Sequence, residues 1–114
     1  MKHSIGRIFT AGTNQTIFTV PQGYVAHASL VFITNTSGST GSYTLGWKHA
    51  HNPSHVIKYA YGKSLNSGDA INYSSGVLVM KAGDSMILTN TMTVDIIITF
   101  DLLQAMPLYT FDGE

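Results

Sequence analysis

The chain has no cysteine. That excludes a disulfide framework, a thiol nucleophile and any thiolate-bound metal, and leaves the compartment open, since proteins on either side of a membrane can lack the residue. Charge is nearly as scarce: six Lys and Arg balance six Asp and Glu, together 11% of residues, where about a quarter is usual. Ser, Thr, Asn, Gly and Tyr must then cover the surface. With a formal net charge of +0, such a surface resists self-association poorly, so a homo-oligomer or larger assembly is expected. The few cations are scattered and form no basic patch, which argues against a nucleic-acid partner. No apolar run approaches the length of a membrane helix, so no membrane partner is expected. Met1 to Arg7 also lacks the apolar centre of a signal peptide, so any export is expected to use another route.

What is present is strand periodicity. Val94, Ile96, Ile98, Phe100 and Leu102 take every second position, with Asp95, Ile97, Thr99 and Asp101 between them. The aspartates cannot be buried ionised without partners, so the first set faces a core. Val77 to Leu103 reads as three strands joined by tight turns. In the first turn, Lys81-Ala-Gly-Asp84, Gly83 supplies a positive φ and Asp84 can bond the backbone two residues on.

Upstream, Thr16 to Val20 is a strand closed by a Pro21-Gln-Gly23 turn. Tyr24 to Asn35 is apolar on both parities, which predicts a bulge near His27 to Ser29 and a central position in its sheet. Thr36 to Ser42 is a loop, and Tyr43, Leu45 and Trp47 give the next strand an aromatic inner face. His55 to Lys63 is a strand with Ile57, Tyr59 and Tyr61 on one side and Val56, Lys58, Ala60 and Gly62 on the other. A turn at Leu65 to Asp69 leads into a short strand over Ala70 to Tyr73. Turn signals recur about every ten residues without any helical window, which predicts an antiparallel β-sandwich, jelly-roll-like, of seven to eight strands. The domain is expected over residues 15–103. An N-terminal arm over 1–14 precedes it, and a C-terminal docking tail over 104–114 follows.

Catalysis finds little to work with. Asp69 and Asp84 follow glycines in turns, and Asp95 and Asp101 lie on an outer face, so no carboxylate pair spans a cleft. No nucleophile elbow and no phosphate-cradling loop is present. His49, His51 and His55 could converge on a metal, as in a cupin, but the carboxylate ligand and the later histidine of that motif are missing. Packing of these histidines against Trp47 is the preferred expectation. The chain is therefore read as no enzyme, with no cofactor and no metal. An aromatic platform of Trp47, Tyr59 and Tyr61 would suit a host glycan, and a carbohydrate-binding module is the alternative reading. The apolar residues of the termini, Ile5, Ile8 and Phe9 before the domain and Met106, Leu108, Tyr109 and Phe111 after it, are expected assembly contacts, together with outer-face Ile97.

Thr16-Ile-Phe-Thr-Val-Pro-Gln-Gly23, Leu30-Val-Phe-Ile-Thr-Asn-Thr-Ser-Gly38 and Tyr43-Thr-Leu-Gly-Trp47 together resemble the opening of a group of short tailed-bacteriophage virion structural proteins. Leu65-Asn-Ser-Gly-Asp69 and Val79-Met-Lys-Ala-Gly-Asp-Ser85 resemble turns in the second half of those proteins. The resemblance covers about Thr16 to Leu103. It implies a non-enzymatic β-sandwich of the virion, on the capsid surface as decoration or in the tail. It also implies a homo-oligomer, a trimer by analogy, bound to other virion proteins and assembled in the host cytoplasm.

Overall fold

The computed structural model describes residues 2–52, 54–74 and 76–104. Nine strands run in chain order: β1 Lys2–Phe9, β2 Gly12–Thr19, β3 Tyr24–Asn35, β4 Gly41–Lys48, β5 Val56–Leu65, β6 Ala70–Tyr73, β7 Leu78–Met80, β8 Ser85–Asn90 and β9 Val94–Gln104. Sheet A has the order β1-β9-β3-β6, with β7 also on β3, and sheet B the order β2-β8-β4-β5. Among the described residues the strand pairings are antiparallel, and the two sheets pack as a sandwich. β6 lies along Val31 to Thr34 of β3 and β7 along Ala26 to Ala28, so together they form one interrupted strand. Counted so, each sheet has four strands, and successive strands alternate between sheets in the jelly-roll manner except at the β4–β5 hairpin, whose two strands share sheet B.

β9 behaves as its alternation requires. Val94, Ile96, Ile98 and Phe100 are buried, Leu102 packs against the core, and Asp95 and Ile97 are exposed. The neighbouring β3 carries the expected bulge, a register shift between Ala28 and Leu30. One extra residue reverses the parity, so Ala26 and Ala28 point inward before it and Val31 and Ile33 after it. From sheet B the core receives Ile17, Tyr43, Leu45, Met86 and Leu88. The ring of Phe18 lies 4.3 Å from that of Phe100, joining the layers.

The segment expected to be an arm is strand β1. It pairs with β9 in continuous register from Lys2 opposite Asp101 to Phe9 opposite Val94, a strand that the expected seven or eight did not include. Alternation is masked here because an inward position holds Arg7. Its guanidinium lies 5.0 Å from the ring centroid of Phe9 and donates to the carbonyls of Thr16 and Ile17 on β2, bridging the two edge strands.

The turns hold buried polar groups that are fully partnered. Gly23, Gly68 and Gly83 take positive φ, as their turns require. Asp84 is fully buried, and it does not bond two residues ahead. Its carboxylate instead accepts from Lys81 N–H, Ala50 N–H and the Trp47 indole N–H. Asn35, also fully buried, donates to the carbonyls of Ser39 and Leu65 and accepts from the Ser37 N–H and hydroxyl. No described buried side-chain nitrogen or oxygen lacks a partner, as a well-packed interior demands.

Candidate contact surface

Pairing register builds the outer face of sheet A in rows across the strands. One row places Gly6, Ile97, Phe32 and Asn72 side by side, the next Ile8, Asp95, Thr34 and Ala70. A third runs Lys2, Asp101, His27 and Val79. Ile97 is 46% exposed and Ile8 73%, and Val79 and Leu103 are also open to solvent. Gly6 offers no side chain beside Ile97, and the resulting shallow hollow of about 390 Å³ is lined by Gly6, Arg7, Ile8, Asp95, Ile96 and Ile97. Exposed apolar side chains at intervals along this sheet face, with Asp95 and Asp101 interspersed among them on β9, make it the candidate protein contact.

Of the expected assembly contacts, the structure brings Ile8 and Ile97 together on this face. Phe9 is not available for contact: it is only 6% exposed and belongs to the core, and Ile5 packs partly against the core. An edge strand must turn one parity inward, and residues 5 and 9 share that parity. Met106, Leu108, Tyr109 and Phe111 lie outside the described residues. Val79 and Leu103 were missed by sequence reasoning, because β7 is too short to show a period and Leu103 stands in a Leu102-Leu103 pair that hides parity.

The three aromatics of the expected platform do not share a surface. Trp47 packs partly against the core and bonds Asp84. Tyr59 sets its ring edge-on to Tyr73, at 5.3 Å between centroids. Tyr61 lies across sheet B from the core, beside Thr44, Gly46 and Lys58. Two register shifts in the β4–β5 pairing separate Tyr59 from Tyr61, which the unbroken alternation read from the sequence had placed on one side. Behind Tyr59, the hydroxyls of Tyr73 and buried Tyr43 meet at 2.6 Å. Burial, and then the bond to Tyr73, raises the Tyr43 hydroxyl well above its ordinary pKa.

The histidine loop is held by packing. His49 stands edge-on to Trp47 at 5.4 Å, and His51 lies 5.2 Å from His49 and donates its backbone N–H to His49 Nδ1. Among the described residues no group of three His, Cys, Asp or Glu side chains is placed to hold a metal ion. No helix among the described residues is long and apolar enough to cross a membrane. No protein-family model matches the chain, and no curated protein is significantly similar to it.

Proposed function

We propose that this protein is a non-enzymatic structural component of a bacteriophage virion, joining other virion proteins on the capsid surface or in the tail through contacts between folded surfaces. The observation that carries this reading is the outer face of sheet A, where Ile8, Ile97, Val79 and Leu103 are exposed around half-buried Phe32 and Leu30. A protein with 11% charged residues gains little by leaving such a face in water, and burying a standard interface needs only about 20 to 30 residues a side. The ordered motifs from Thr16 to Leu103 point to the same class. A homo-oligomer, a trimer by analogy, is the expected assembly unit.

The test is to locate the chain in purified particles by mass spectrometry and to compare wild type with Ile97→Lys. Stoichiometric incorporation, lost or reduced for Ile97→Lys while the isolated variant keeps its thermal stability, is the expected result. Absence of the protein from purified particles sinks the proposal.

A further inference from the structure

The strands of the two sheets differ in charge. The strands of sheet B carry Lys48, Lys58 and Lys63 and no acidic residue, whereas those of sheet A carry both signs, Lys2 and Arg7 with Asp95 and Asp101. On the lysine-bearing sheet, facing away from the core, lies a depression of about 170 Å³ bordered by Asn14, Thr44, Lys58, Tyr61 and Thr89. Its floor is apolar. Ile87 is 3% exposed yet stands apart from the hydrophobic core cluster, so it is buried from the outside. Beside it Gly46 is also buried, and a Cβ there would collide with the Val56 side chain, so only glycine leaves this floor its shape.

Above the floor, Tyr61 is 74% exposed, and among the described residues no hydrogen bond or ring contact holds its side chain. The rim is polar and rich in donors. Thr44 Oγ1 accepts the Gly62 N–H at 2.9 Å, which leaves its own proton free to donate. Asn14, in the left-handed region at φ 50, bonds Thr89 through its backbone N–H and its side-chain oxygen, leaving its amide N–H groups open. The Lys58 ammonium has no partner among the described residues.

We infer that this depression binds a sugar ring bearing an acidic group. An open tyrosine face beside an apolar floor suits the C–H face of a pyranose. Thr44 and Asn14 offer donors to ring substituents, and Lys58 offers a charge to a carboxylate or sulfate. The strands of sheet B carry no carboxylate, so nothing on them repels an acidic substituent held beside Lys58. The inference goes beyond the virion reading and does not rest on it, since the isolated chain suffices for the test.

The full-length protein is applied to an array of uronic, sialic and sulfated glycans alongside their neutral counterparts, with Tyr61→Ala and Lys58→Gln in parallel. Selective retention on acidic glycans is expected, weakened roughly ten-fold or more by Tyr61→Ala and by Lys58→Gln, with thermal midpoints unchanged because both side chains are exposed. No retention, equal retention on neutral glycans, or undiminished binding by Tyr61→Ala each overturns the assignment.

Discussion

The indole N–H of Trp47 donates to Oδ2 of Asp84 at 3.1 Å, and this bond ties the end of β4 to the turn before β8. The same carboxylate takes the backbone N–H of Ala50 at 2.8 Å and of Lys81 at 3.0 Å. Three segments therefore share one buried acceptor. Asp84→Ala strands all three donors in a closed site and is expected to cost about 2 to 4 kcal/mol. Urea unfolding followed by Trp47 fluorescence measures it. Asp84→Asn, which retains one acceptor oxygen, is expected to cost less; equal losses for the two variants would show that charge matters more than acceptor count.

Gly83 and Gly23 have nearly the same φ, 87° and 85°. They differ in surroundings, because a Cβ at Gly83 would sit 2.9 Å from that of Ala50, whereas one at Gly23 meets nothing within 4 Å. Gly23→Ala is expected to cost the left-handed backbone penalty alone, about 1 to 2 kcal/mol. Gly83→Ala is expected to cost measurably more, since Ala50 must also shift. Thermal midpoints of the pair, measured side by side, separate conformational from steric cost.

Adjacent residues of β9 offer a test of the sandwich itself. Ile98→Ala removes a fully buried side chain and is expected to cost about 2 to 5 kcal/mol. Ile97→Ala, half-exposed, is expected to stay within about 0.5 kcal/mol in an isolated protomer. If denaturant midpoints show similar losses for the two, the inward and outward assignment of β9 is wrong.

Tyr43 links stability to alkaline pH. Burial raises its hydroxyl above the ordinary value of 10.0, so the folded state holds the proton more tightly than the unfolded chain does. That contribution is fully present below the unfolded value and is lost as pH climbs through the folded one. Tyr43→Phe is expected to cost about 1 kcal/mol near neutral pH, through the lost bond to Tyr73. Its stability should also decline less steeply than wild type above about pH 10. Parallel slopes for the two proteins in that range would remove Tyr43 from the alkaline transition.

Much of the fold was legible because its signals are local. A two-residue period in β9, a parity reversal in β3 and glycines where φ is positive each depend on a few neighbouring residues. The candidate surface was half-legible for the same reason: Ile97 breaks an alternation visibly, whereas Val79 sits in a strand of three residues. The glycan platform read from β4 and β5 failed because bulges are set by pairing with a neighbour, which a single strand does not reveal.

The sequence by itself determined an all-β chain, the inward face of β9 and the turns at Gly23, Gly68 and Gly83, because backbone geometry and alternation act within a few residues. Only the tertiary structure decided that Lys2–Phe9 is a strand, since its ladder to β9 pairs residues from opposite ends of the chain, Lys2 with Asp101 through Phe9 with Val94, and Arg7 interrupts its apolar face. It alone also decided that Asp84 is a buried anchor and that Tyr61 lies beside Thr44 and Lys58, apart from Trp47, because burial and strand register depend on distant parts of the chain.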